Sequence, residues 1–187
     1  MADSDMKLKI KNVAIDYFNR EGFHGATIRN IAKEANCSLP MVNYYYNSKK
    51  ELFHEIIKVD YFDLLNRQAT RLKINNDVLS FYTEFVFGLN QLTEHEKKVY
   101  RLGIKVYYGF DGDDELIDIM NKWEQSIFPR HYQLVKPFLK NEEQGVYVVK
   151  ALVHLIATLV EEIVVKGRFL PEEEIRKELA VALKGIG

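Results

Sequence analysis

The chain has 187 residues, 47% of them apolar and 28% charged, with a net charge of −1. This suits one soluble globular domain with a sizeable core, or two small ones, and it is not the composition of a basic protein. One cysteine, Cys37, excludes a disulfide framework and a cysteine-based zinc site.

With only 4 prolines and 10 glycines, the sequence favours long helices over many turns. The N-terminus is acidic and polar and lacks the apolar segment of a signal peptide. The longest apolar stretch, 151–160, is interrupted by His154, closed by Glu161-Glu162, and too short for a bilayer. A cytoplasmic protein with no membrane partner is expected. Residues 1–6 are expected to fray, and a helix is predicted from Met6 to Arg20. Its apolar stripe is Ile10, Val13, Ala14, Tyr17 and Phe18, and Gly22 ends it. Lys7, Lys9 and Lys11 lie at its start, against the dipole preference. They read equally as solvated surface or as a basic approach to a DNA backbone.

The stretch from Thr27 to Glu51 reads as two short helices, a tight turn, and the start of a third. Thr27 can cap the first helix, whose face carries Ile28, Ile31, Ala32 and Ala35. Asn36 tolerates the left-handed turn where that helix stops. Ser38 can cap the second helix, Pro40 falls in its first turn, and Ser48 with Glu51 fits a capping box for the third. Two short helices so joined make a helix-turn-helix, whose second helix can lie in the major groove of DNA. That second helix, about Leu39 to Tyr45, carries Leu39, Pro40, Met41, Asn43, Tyr44 and Tyr45 with only Val42 as a clear inward aliphatic. Asn can read adenine, Tyr can donate to phosphate, and apolar atoms can touch a thymine methyl. Tyr46 falls back toward the core.

Residues 10–53 thereby resemble the DNA-binding domain of the TetR family of one-component transcriptional regulators. The matching residues are Ala14, Phe18, Glu21-Gly22-Phe23, Ala26-Thr27, Ile31-Ala32, Ala35, Ser38, Tyr45-Tyr46, Lys49 and Glu51-Leu52. Asn36 stands where the family usually has Gly, Pro40 where Gly is frequent, and Asn43 where Tyr is frequent. The resemblance implies phosphate contacts from Thr27, Tyr45 and Lys49. It also implies a ligand cavity in the body whose occupancy moves the helix that follows Ser48.

That helix is predicted from Ser48 to about Leu72, with Leu52, Phe53, Ile56, Ile57, Val59, Phe62, Leu64 and Leu65 at helical spacing. It links head to body. Asn75-Asn76-Asp77 is a break and cap, followed by an aromatic helix to about Leu92. Thr93 with Glu96 fits another capping box, for a helix to about Tyr108. Residues 109–114 read as a loop. A helix from Asp114 to Lys140 follows, which Pro129 should kink or divide. Glu142 to Lys166 is predicted as one helix, apolar nearly all round, so it must be buried on both sides. A second copy of the chain best covers its far side. Gly167 ends it, and Pro171 opens a last helix, Glu172 to Lys184.

Residues 1–50 hold 8 Lys and Arg against 5 Asp and Glu, a balance of +3, leaving −4 on the rest. That asymmetry suits a DNA-contacting head on a near-neutral body. No phosphate-binding glycine motif, H-E-x-x-H or paired catalytic groups occur, so no enzyme, cofactor or metal site is expected; a small all-α enzyme is the weakest alternative. His154 and Glu161 share a helix face but lack the further ligand a metal site needs.

The expected fold is therefore all-α, about nine helices, with a three-helix helix-turn-helix domain at 1–50 and a ligand-binding and dimerisation domain at 51–187. The expected function is that of a DNA-binding transcriptional regulator, a repressor, acting as a homodimer on a roughly palindromic double-stranded operator. Candidate DNA-binding residues are Thr27, Ser38, Leu39, Pro40, Met41, Asn43, Tyr44, Tyr45 and Lys49. Candidate dimer residues are Val149, Leu152, Ile156, Ile163, Ile175 and Leu179. Phe81, Phe85, Tyr100, Tyr107, Trp123, Phe128, Tyr132 and His154 are candidates to line a site for a small hydrophobic or aromatic effector. The alternative is a body that responds to a protein partner.

Overall fold

The computed structural model describes residues 2–70, 77–109 and 113–184. Among these the fold is all-α. The chain divides into two compact units, residues 1–65 with 93–111 and residues 66–92 with 112–187.

In the first unit, α1 (Ala2–Gly25) starts earlier than its stripe suggests and is broken at Gly22, whose φ of 70° suits glycine. The N-terminal residues expected to fray are helical from Ala2. Helices α2 (Ile28–Glu34) and α3 (Leu39–Tyr46) follow, and all three pack on one another. Next come α4 (Lys49–Glu55), a π-helical turn (Ile56–Tyr61) and α5 (Phe62–Thr70), without interruption. The single helix expected over 48–72 is thus widened in its middle; residues 71 and 72 lie outside the described ones. The i→i+5 turn brings Ile56 and Tyr61 to the same inward side. α7 (Glu94–Tyr107) packs on α1 and on the π turn, and its Thr93–Glu96 capping box is formed in both directions. A Cβ on Gly103 would run into the ring of Tyr61, so glycine lets α7 approach. Lys98 Nζ reaches Asp16 at 2.6 Å, and Asn19 Nδ2 donates to the Lys98 carbonyl at 3.0 Å. Ile10, Phe18, Ile31, Leu52, Ile56, Tyr61 and Leu102 form the core here, each at most 2% exposed.

The second unit holds α6 (Val78–Gly88), α8 (Asp114–Val135), α9 (Glu142–Val160) and α10 (Glu172–Ala182). Asp77 caps α6 by accepting from Leu79 N–H at 3.0 Å; Asn75 and Asn76, with 110–112 of the expected loop, lie outside the described residues. α8 runs on through Pro129 and ends in a 3-10 turn at Pro137, so it is not divided where the sequence suggests. α9 continues into a π turn (Glu161–Val165), and Gly167, at φ 70°, ends it. α10 packs on α6 and α9, and α8 on α9. Asn90 clips the chain before α10, donating to the Leu170 carbonyl at 2.9 Å and accepting its N–H at 3.2 Å.

The expected dimer residues are already buried within the single chain. Val149, Leu152, Ile163, Ile175 and Leu179 are 0% exposed and Ile156 is 8% exposed in the single chain. Periodicity shows that these positions are buried, but the chain's own α8, α9 and α10 bury them. α9 instead exposes Tyr147, Ala151, His154 and Thr158, and Val165 and Phe169 are exposed beyond it. No helix among the described residues is long and apolar enough to cross a membrane.

Candidate nucleic-acid interface

Four short-range features build the interface. The Thr27 hydroxyl accepts from Asn30 N–H at 3.2 Å, which fixes the start of α2. Asn36, at φ 55°, takes the left-handed turn, and Cys37 N–H donates back to the Ala32 carbonyl at 3.0 Å. The Ser38 hydroxyl accepts from Met41 N–H at 3.4 Å, starting α3, with Pro40 in the first turn. Asn47, at φ 56°, ends α3, and the Ser48 hydroxyl accepts from Glu51 N–H at 3.1 Å to start α4.

α3 is two-faced. Val42 and Tyr46 are buried, and the Tyr46 hydroxyl donates to the Lys7 carbonyl at 2.7 Å. Burial pushes the Tyr46 phenol well above its usual range, so it stays neutral and structural. The other face presents Ser38, Leu39, Pro40, Asn43 and Tyr44 to solvent, and Tyr44 is 75% exposed. Met41 and Tyr45 are half-buried, and the Tyr45 ring meets Tyr44 edge to face at 5.2 Å. An exposed tyrosine resting on a half-buried one, beside an exposed asparagine and on a helix anchored from behind, is a surface that can enter a groove.

Lys49 is more constrained than its spacing suggests. Its ammonium donates to the carbonyls of Phe23 at 2.7 Å and Ala26 at 3.0 Å, and stands 4.4 Å from the centre of the Phe23 ring. Desolvation lowers its pKa. Two of its three donors thus close the α1–α2 corner. Lys7 and Lys11 are likewise engaged: Lys7 meets Glu55 at 3.1 Å, and Lys11 meets Asp60 at 2.8 Å and Glu55 at 3.4 Å. Arg29 is a further candidate for this surface. It is exposed in the first turn of α2 and makes no ion pair among the described residues; its position off the apolar face was the available signal.

Residues 10–56 match the family model described as bacterial regulatory proteins, tetR family. Over these residues the chain carries a segment of the tetR-family type. Among curated relatives, the negative transcriptional regulator IcaR of the biofilm operon icaADBC, from Staphylococcus aureus strain Newman, is 30% identical over 91 residues. That match covers 46% of this chain and 48% of IcaR, so the chain spans about half the length of this relative. The HTH-type transcriptional regulator QacR of Staphylococcus aureus strain Mu50 is 24% identical over 183 residues, covering 96% of this chain and 94% of QacR. A TetR-like transcriptional regulator from Rhodococcus sp. RHA1 shares the fold, with a TM-score of 0.75 at 18% identity, covering 96% of this chain and 94% of that one.

The eight expected effector residues are divided between the two units. Tyr100 and Tyr107 belong to the first unit, where Tyr100 is buried edge-on against Tyr61 at 5.6 Å. In the second unit, Phe128 stacks on Tyr132 at 5.9 Å, Phe81 lies edge-on to Tyr82, Trp123 is half-buried and His154 is exposed. Phe85 lines a recess of about 230 Å³. A partly buried polar pair that no local pattern signals lies in the same unit: the Tyr82 hydroxyl and His131 Nδ1 are 2.8 Å apart.

Proposed function

We propose that the chain is a sequence-specific DNA-binding transcriptional regulator. It represses by occupying a roughly palindromic operator as a homodimer, and a small molecule bound in its helical body releases it. The observation that carries this reading is the two-faced α3: Val42 and Tyr46 are buried behind it, while Leu39, Pro40, Asn43 and Tyr44 point outward. In this reading residues 1–50 contact DNA and residues 51–187 dimerise and bind the effector. Thr27, Arg29, Tyr45 and Lys49 touch phosphates, and Asn43 reads a base edge. The repressor sign is supported by IcaR, described as a negative regulator.

The test is a titration of the full chain onto labelled duplexes at several salt concentrations. Binding should weaken by a slope of about −0.9 per phosphate contact on a double-logarithmic plot. Absence of binding at low salt, or binding insensitive to salt, would contradict the proposal.

A further inference from the structure

Val42 and Tyr46 are the buried side chains of α3 and hold it from behind. Val42 acts through apolar burial, which is non-directional. A seat of that kind resists lifting of the helix but hardly resists rotation about its axis. Tyr46 adds a directed contact. It is 3% exposed, and its hydroxyl donates to the Lys7 carbonyl at 2.7 Å, from 39 residues along the chain. A carbonyl oxygen has two lone pairs, so Lys7 can accept this bond within the helical ladder of α1. Burial first, then the carboxylates of Glu55 and Asp60, raise the phenol's pKa, so the hydroxyl remains a donor.

The acceptor is itself held in place. The Lys7 ammonium stands 5.2 Å from the centre of the Tyr46 ring and meets Glu55 of α4 at 3.1 Å. One turn on, Lys11 meets Asp60 at 2.8 Å and Glu55 at 3.4 Å. The Tyr46 ring also meets Tyr45 edge to face at 6.5 Å, and Tyr45 meets the exposed Tyr44 at 5.2 Å. The anchored ring therefore backs Tyr45 and, through it, Tyr44. A rotation of α3 by about 10° moves a side-chain tip, about 6 Å from the axis, by about 1 Å. That is about twice the ~0.5 Å spread of hydrogen-bond distances. Base-edge contacts do not survive such a shift, whereas sequence-blind phosphate contacts tolerate it.

We propose that Tyr46 is the positioning residue of the DNA-reading surface. Its hydroxyl bond to α1 sets the rotation of α3 about its axis, and so the angle at which Asn43 and Tyr44 meet base edges. Tyr46 itself touches no DNA in this role. The role rests on the DNA-binding reading; the bond itself does not.

Tyr46→Phe in the full chain keeps the ring and deletes the hydroxyl. It should weaken binding to a duplex selected by the unaltered chain roughly tenfold. Affinity for a random duplex should stay within about twofold, with the salt slope unchanged. Placing 4-aminophenylalanine at position 46 restores a donor on the same ring carbon and should recover the preference. Placing 4-methylphenylalanine there, similar in bulk but without a donor, should not. Amide hydrogen exchange on the free chain reads the bond without DNA: in Tyr46→Phe, α3 should exchange roughly tenfold faster and α10 should be unaffected. A purely structural role lowers the melting temperature and moves both duplex affinities together, and that outcome overturns the proposal. So does a preference that Tyr46→Phe keeps, one that the methyl analogue restores as well as the amino one, or unchanged exchange in α3. Should Tyr46→Phe not fold, the amino and methyl chains decide. An unaltered chain without preference among duplexes overturns the DNA-binding reading and the positioning role with it, while the exchange comparison still decides the bond.

Discussion

Asn43 and Lys49 stand six residues apart and hold their side chains in opposite circumstances. Asn43 is exposed on α3 and no bond among the described residues ties its amide to the fold, so its replacement should cost little stability. Lys49 is bonded to the carbonyls of Phe23 and Ala26. Lys49→Ala should therefore lower unfolding free energy by about 1–2 kcal/mol and weaken binding to every sequence, flattening the salt slope by about one unit. Asn43→Ala should leave stability within about 0.5 kcal/mol and relax preference at one base pair by about 1–3 kcal/mol. Paired denaturation and DNA titrations check both. Identical effects of the two changes on cognate and random duplexes would reject this division of roles. At the same scale, burial first and Arg130 second push His131 down to about 4. The unfolded chain takes up this proton near 6.5 and the folded chain only near 4. His131 thus leaves stability unchanged above about pH 6.5 and removes up to about 3 kcal/mol as pH falls to 4. Urea unfolding at pH 7 and 4.5 should show the loss, and His131→Gln should shrink it.

α7 reaches the π turn only because position 103 carries no side chain. Gly103→Ala forces its methyl into the Tyr61 ring and should destabilise by about 1–3 kcal/mol, read as a lowered melting temperature. An unchanged melting point would show that Tyr61 has another rotamer to use. The elements show how far the sequence was legible. Thr27, Ser38, Ser48, Asp77 and Thr93 each cap the helix assigned to them, because capping depends on residues three or fewer apart. The π turns were not legible, since α and π turns place the same short apolar run inward. Nor were the carbonyls that hold Lys49: they lie 26 and 23 residues away in the chain, and no local pattern reports them.

For the whole molecule, the α9 periodicity marked burial correctly and could not say which chain provides it. Ile156, buried by the chain itself, should therefore unfold the second unit when changed to Asp, and is no test of assembly. The exposed stripe of α9 is the test. Tyr147→Asp should leave melting nearly unchanged and shift sedimentation from dimer to monomer, with loss of operator affinity. A dimer that survives the change would place the two-fold contact elsewhere. The central claim, that α3 reads DNA sequence within a two-fold assembly, is met most directly by selecting bound duplexes from a random pool with the full-length chain. The expected outcome is enrichment of an inverted repeat with half-sites about 34–36 Å apart, or a multiple of that spacing, degraded at one position in each half-site by Asn43→Ala. A pool that stays random after repeated rounds, or an enriched site without two-fold symmetry that Asn43→Ala leaves untouched, would contradict it.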